Sequence, residues 1–542
     1  MSDKTKTFVK GAAILGVMGL ICKVIGAIFR IPLTNIIDIP GQVSGMAYYQ
    51  MVYPVYALLL VVSTAGLPAA ISKMVSERRA LSDYKGAENV FKTSFKLLLI
   101  IGVVSAVVLF AISKPLAILF DFPEAAINFM MLSPAVCFVA IISSYRGYFQ
   151  GMQMMAPTGV SQLLEQLVKL LAGLYFAKMF LPLGPQYGAA GALLGVSLSE
   201  ILALILLFII YQVKKPAIKR EIEQNSNTKG ETKKQLLRLL LKIAIPVTIG
   251  ACIMPIVMAI DTVVVIRGLK AIGFTEVEAS SKFAHLTAYV NSLVNMPAVL
   301  SLALAMSLVP AISSFKAKGM KTELKQQSGL GFKIALLVGL PSAVGLSILA
   351  KQVLLLLYKP INPALYSGEM AVKAAQALDE TVMLLVIMSI AILMLTMLQT
   401  MTGILQGLGK VKIPVINLGI AAIVKIIVSV VLIRIPNINI VGAAIGTVLC
   451  YGIAAILNVY FVVKHTGMKI SMLNHITKPV VCTALMGMVV YLIYPVIFDL
   501  VKSNTIATLG AIIVGAIVYA GALIFTKTIT KEEIALIRGK RA

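Results

Sequence analysis

Of the 542 residues, 59% are hydrophobic and only 13% are charged, which leaves too little polar surface to cover a water-soluble globule. The charge is strongly positive, 48 Lys and Arg against 22 Asp and Glu for a formal net of +26. Those cations are strung between long apolar runs, so a membrane protein facing anionic headgroups accounts for them and a nucleic-acid partner is unnecessary.

Successive runs of about 20 apolar residues, separated by short polar breaks, predict transmembrane helices. Fourteen are expected, at 11–31, 48–72, 94–117, 126–150, 158–180, 188–213, 239–266, 284–312, 332–356, 379–406, 413–434, 440–463, 479–498 and 505–526. The first follows Lys4, Lys6 and Lys10. Its apolar run is long and lacks a small-residue cleavage site, so it is expected to remain as a helix and not to be removed as a secretory signal.

The first helix carries Lys23 and Arg30 in ICKVIGAIFRIPL, two turns apart and therefore on one face. A charge at mid-bilayer costs roughly 2.5 to 3.5 kcal/mol on insertion scales. Neither cation has an acidic residue at i±3 or i±4, which favours a hydrated cavity beside them. Arg146 ends the fourth helix in SSYRGYFQG, where it is expected to snorkel to headgroups, with substrate contact as the alternative. Glu165 and Lys169 follow in LLEQLVKLL at i and i+4, spacing and order that predict an ion pair. Glu200 lies in SLSEILAL, Asp261 in MAIDTVVV and Lys425 in AAIVKIIV. Asp261 is a candidate partner for Arg30. It and Glu200 are the candidate ligands for a coupling ion, Na+ or H+.

Lys and Arg at the termini, in the even-numbered connections and in the span ends beside them total 34, against 10 in the odd-numbered connections and the span ends beside those. By the positive-inside rule both termini are expected in the cytoplasm. Cys22, Cys137, Cys252, Cys450 and Cys482 fall in apolar spans without paired spacing, implying neither disulfides nor a metal site. His285, His465 and His475 are isolated in sequence and are read as surface or interfacial. No phosphate-binding G-x-x-x-x-G-K-[ST] loop occurs, since GLGK at 407–410 lacks the spacing. No cofactor is implied, and the scattered intramembrane carboxylates do not suggest an enzyme.

The chain also resembles itself. SFKLLLIIGVVSAVVLFAISKPLAILF from Ser94 aligns without gaps with GFKIALLVGLPSAVGLSILAKQVLLLL from Gly331, matching Lys96 to Lys333 and Lys114 to Lys351. GLPAAIS around Pro68 pairs with LVPAIS around Pro310, and Pro54 with Pro297. GYFQG (147–151) pairs with GILQG (403–407), Lys169 with Lys425, and GALLG (191–195) with GAAIG (442–446). Six helices per copy return the chain to its starting side, so the copies are expected to be parallel and related by a pseudo-twofold axis along the membrane normal. The expected organisation is an all-α integral membrane protein: an N-lobe (1–213), a polar cytoplasmic linker (214–235), a C-lobe (236–465), then helices 13 and 14 with a C-terminal tail (466–542). Ala421 replaces the Glu165 equivalent beside Lys425, so that lysine has no counter-ion on its own helix.

Two repeated bundles with interior cations predict a secondary transporter for an anionic substrate. An interior-negative potential favours outward movement of negative charge by about 2.3 kcal/mol per charge per 100 mV. A small-molecule drug exporter would want acidic cleft residues to bind cations. A non-transporting scaffold would have no use for charges inside the bilayer.

KVIGAIFRIPL, YYQMVYPVYALLLVVSTAGLPAAISKMVSE and YRGYFQGMQMMAPTGVSQLLEQLVKLL together resemble the polysaccharide-transporter branch of the multidrug/oligosaccharidyl-lipid/polysaccharide exporter superfamily, with its sporulation and lipid II flippase groups. The resemblance covers essentially the whole chain. It implies fourteen helices in two six-helix lobes, alternating access, and a substrate carried on undecaprenyl pyrophosphate, most simply lipid II, in the bacterial cytoplasmic membrane. It places the pyrophosphate on Lys23 and Arg30 and a lipid-tail groove on helices 13 and 14. Position 23 holds lysine where those relatives favour arginine, and the cation-rich second helix of those relatives is not matched.

Overall fold

The computed structural model describes residues 3–64, 66–224 and 231–528; side chains are described from residue 18 onward and at residue 16. Residues 225–230 of the expected linker and the tail beyond 528 lie outside the described residues, as do the side chains of Lys4, Lys6 and Lys10. Among the described residues there is no strand, and fourteen helices are long and apolar enough to cross a membrane. The chain divides into two compact units, Met1–Arg267 and Gly268–Ala542.

The first unit holds α1 (Asp3–Ile37), α2 (Gly45–Thr64), α3 (Leu67–Ala80), α4 (Tyr84–Ala111), α5 (Ser113–Leu119), α6 (Ala126–Gly151), α7 (Ala156–Phe180), α8 (Pro185–Gln224) and most of α9 (Lys233–Ala271). The second holds α10 (Glu276–Ala284), a π-helical turn at His285–Val290, α11 (Asn291–Ala317), α12 (Lys321–Ile348), α13 (Ala350–Leu357), α14 (Gly368–Gly407), α15 (Lys412–Ile433), α16 (Val441–Thr466), α17 (Lys478–Val501) and α18 (Asn504–Phe525). Several helices outrun the apolar windows that predict them. α8 runs on through KKPAIKREIEQ, and α9 starts at Lys233. The polar residues there are largely good helix formers, so the backbone ladder continues past the hydrocarbon boundary.

Two expected single spans are each broken once, at matched places. α4 stops at Ile112 and α12 at Leu349, each with φ near −90° and ψ near zero, and a short helix follows in both units. Residues 112 and 349 are partners in the gapless repeat. Helices 2 and 8, which carry the paired prolines, differ. The second span breaks before Leu67, whereas the eighth stays helical through Pro297 and Pro310 and carries its distortion in the π turn.

Small residues let the helices approach closely in both units. Gly191 and Gly195 of α8 lie against the backbone of Phe176 and Gly173 on α7. Their repeat partners Gly442 and Gly446 on α16 face Leu432 and Ser429 on α15, where an added Cβ would come within 2.6 and 2.5 Å. A second seam corrects the sequence alignment. Gly147 and Gly151 of α6 abut Pro68 and Val75 of α3, while Gly403 and Gly407 of α14 abut Ala305 and Ile312 of α11. Equivalent packing therefore sets Pro68 opposite Ala305, five residues from the Pro310 match, and restores the register of the gapless segment that follows.

Each unit has its own apolar core. In the first, Ile71, Met74, Phe91, Ile142 and Tyr148 pack with Leu236 and Leu240 of α9. Glu88 is buried there, its two oxygens accepting from Tyr148 and Tyr211 at 2.8 Å each. In the second, Phe332, Met401 and Ile404 pack with Ala454 and Val462, and buried Asn417 donates to Asn458, which donates to Thr402. α17 and α18 pair with each other and dock on α12 and α13, with Tyr519 donating to the Leu337 carbonyl and Asn504 to that of Gln352. His285 departs from its expected surface role. It is buried, edge-on to the Tyr289 ring at 5.2 Å.

Candidate functional site

α1 settles along α7 through Gly26, beside Gln166, and Phe29, whose ring meets Gly173. Around this contact the helix sorts its remaining faces. Ile21, Val24 and Ile28 are exposed on one flank. Lys23 and Arg30 lie roughly 140° around the helix from that apolar flank, at 100° per residue. Arg30 is half-buried and Lys23 exposed.

Arg30 extends over the ring of Tyr53 on α2, 5.6 Å from its centroid, and Tyr53 leans on Tyr56. Lys169 of α7 sits 5.4 Å above the ring of Phe29, which leans on Tyr49. Lys169 is also within electrostatic reach of Tyr49, Tyr53, Arg30 and Glu165. Both cations are thus held against π faces, contacts that orient a charge without neutralising it. Among the described residues Lys23, Arg30 and Lys169 make no ion pair, so the Arg30–Asp261 pair anticipated from sequence is not formed.

The expected Glu165–Lys169 pair is replaced. Arg146 reaches from α6 to donate to Glu165 at 2.9 Å and to Ser161 at 3.1 Å, while Gln166 takes the other carboxylate oxygen of Glu165 at 3.2 Å. Arg146 is therefore bound inside the unit and does not snorkel to headgroups. The i, i+4 rule failed because a planar guanidinium on the neighbouring helix offers two directed donors where lysine offers a point charge. Glu200 on α8 is 3% exposed, within electrostatic reach of Tyr56, and one of its carboxylate oxygens has no hydrogen-bond partner among the described residues.

Five helices, α1, α2, α6, α7 and α8, thus gather Arg30, Lys169, Arg146, Glu165 and Glu200 around the Tyr49, Tyr53 and Tyr56 stripe. Cys22, one residue before Lys23, lies within electrostatic reach of Glu165 and Arg146, while Lys23 itself is exposed on α1. Asp261 falls in α9, and Lys425 is half-buried on α15 of the second unit. Both make interactions of their own. Among the described residues no group of three or more His, Cys, Asp or Glu is placed to hold a metal ion.

Residues 8–316 match the family model described as polysaccharide biosynthesis protein. The chain belongs to that family. A second model, MatE, matches residues 246–431. The lipid II flippase MurJ of Bacillus subtilis (strain 168) is 26% identical over 519 residues, covering 91% of this chain and 89% of its own length. Stage V sporulation protein B of the same strain is 27% identical over 448 residues, covering 82% and 81%. Among solved structures, MurJ in an inward closed conformation superposes with a TM-score of 0.68 at 15% identity, covering 95% of this chain and 99% of that one. An inward-facing multidrug resistance MATE transporter gives 0.63 at 15%, covering 81% and 94%. At that identity the structural likeness speaks for the fold, that of the multidrug/oligosaccharidyl-lipid/polysaccharide superfamily. The homologues are transporters and flippases, and this member of the family is a multi-pass membrane protein.

The tyrosines were missed from sequence. Helix 2 lacks the cations of the resembled family, and its contribution is aromatic. YYQMVYPVY places Tyr49, Tyr53 and Tyr56 at i, i+4 and i+7 on one face, and that spacing was the available signal.

Proposed function

We propose that the chain is a flippase that carries an undecaprenyl-pyrophosphate-linked cell-wall precursor, with lipid II as the first candidate, from the inner to the outer leaflet by alternating access. The observation that carries this reading is the set of interior cations left without ion pairs, Lys23, Arg30 and Lys169, beside a carboxylate that Arg146 already occupies. Charges kept at such cost inside an apolar span favour a transient anionic ligand. The name of one Bacillus subtilis relative, a lipid II flippase, supports the class of cargo, and that of a second supports a role in sporulation.

In this reading Arg30 and Lys169 take the pyrophosphate from their aromatic seats and Lys23 meets it at the edge of the cluster. Arg146 holds Glu165 out of competition. The lobes are 1–213 and 236–465, the termini are cytoplasmic, and α17 and α18 serve the lipid tail. Export of the doubly charged headgroup is driven by the membrane potential, with Glu200 and Asp261 as the groups through which Na+ or H+ would couple.

The test is depletion of the protein in a strain lacking other flippases, followed by measurement of lipid II in each leaflet. Accumulation in the inner leaflet is expected. Unchanged outer-leaflet lipid II overturns the peptidoglycan assignment and directs attention to other undecaprenyl-linked glycans. The MatE match over 246–431 favours a second reading, export of small molecules, which predicts efflux of cationic dyes from cells expressing the protein.

A further inference from the structure

A cavity of about 950 Å³ opens in the first unit between α4 and the start of α9, and none of the cluster residues described above lines it. Lys92 and Lys96 line it from α4, and Lys233 and Lys234 from α9. Its one acidic residue, Glu231, is taken by Arg78 of α3, so it does not offset the lysines. Lys92 approaches Glu88 at 3.6 Å, but both oxygens of Glu88 already accept from tyrosines. Among the described residues Lys96, Lys233 and Lys234 make no ion pair.

The remaining wall is mostly apolar, with Phe95, Leu99, Ile100, Leu236 and Leu237 prominent beside Asn89, Thr93 and Thr232. The lysines of α4 stand just where its apolar run LLLIIGVV begins, the depth at which phosphate groups sit. A free anion would satisfy the lysines and leave the hydrocarbon wall idle. A membrane lipid satisfies both, and the volume lies within the range of ligand sites. The cavity also belongs to one half of the repeat. Lys333, the repeat partner of Lys96, is 3% exposed and already engaged, so duplication alone does not explain an accessible lysine at position 96.

We infer that this cavity binds the phosphate head and upper acyl chain of an anionic phospholipid, at a site separate from the one proposed for the transported cargo. The inference uses none of the cluster residues and does not depend on the flippase reading.

The chain contains no tryptophan, so a single introduced one reports its own surroundings. The full-length Phe95→Trp protein, in nanodiscs free of polyprenyl lipids, is titrated with brominated phosphatidylglycerol or brominated phosphatidylcholine. A second reporter, Tyr491→Trp on the exposed face of α17, measures ordinary surrounding lipid. Half-maximal quenching at position 95 is expected at about a tenfold lower mole fraction of phosphatidylglycerol than of phosphatidylcholine, with no such preference at position 491. The triple change Lys96→Gln, Lys233→Gln and Lys234→Gln should abolish the preference, while unchanged quenching at position 491 certifies the fold. Equal quenching by both lipids at position 95, or a preference that survives the triple change, overturns the inference. So does displacement of phosphatidylglycerol by millimolar inorganic phosphate, which would assign the lysines to a free anion.

Discussion

Arg146 of α6 and Glu165 of α7 form an ion pair within the first unit, at 2.9 Å and with both side chains largely out of solvent. The pair fixes which interior cations are committed to structure and which remain for a ligand.

Breaking the pair from one side leaves a buried carboxylate. Arg146→Met should cost about 3 kcal/mol, and adding Glu165→Leu should recover most of that loss. Thermal unfolding in a single detergent measures both. A double variant less stable than Arg146→Met would show that the pair is not the reason for the loss.

Arg30 and Lys169 should behave differently, because neither closes an ion pair. Arg30→Ala and Lys169→Met are expected to leave the unfolding midpoint near that of the parent and to lower the rate of precursor flipping at least about tenfold, the equivalent of one lost 1.4 kcal/mol contact. Rates in vesicles at matched protein levels decide the matter. Undiminished flipping by both variants would remove the cations from the mechanism.

The glycine seams predict position-specific damage. Gly195→Ala forces a methyl group into the Gly173 backbone, and Gly442→Ala into Leu432; each should cost about 1 to 3 kcal/mol. Gly419→Ala meets nothing within 4 Å and should be neutral or slightly stabilising in its helix. Unfolding midpoints of the three proteins test the ordering.

Glu88 depends on two phenols. Tyr148→Phe and Tyr211→Phe should each cost about 1 to 3 kcal/mol by orphaning a buried carboxylate oxygen. Because both serve one group, the double variant should depart from additivity, which a double-mutant cycle of unfolding free energies would detect.

The spans were legible because a bilayer demands long apolar runs and few sequences supply them by accident. Their ends were not, since hydropathy stops at the hydrocarbon boundary while the helices of 185–224 and 233–271 continue. The gapless repeat was legible where residues align one for one, and it carried the matched breaks at Ile112 and Leu349. The short PAIS match misled, because four common residues weigh less than the packing of Gly151 and Gly407. Interior charges announced themselves by their setting, yet their pairing did not. Local spacing nominated Lys169 for Glu165, and the partner came from another helix, information that no spacing within one segment contains.

The glycine latch of α8 and its twin on α16 make the molecule its own replicate experiment. Whatever role is assigned to one copy must hold, or visibly lapse, in the other, so matched substitutions at positions 191 and 442 would separate the demands of folding from those that only one half of the molecule faces.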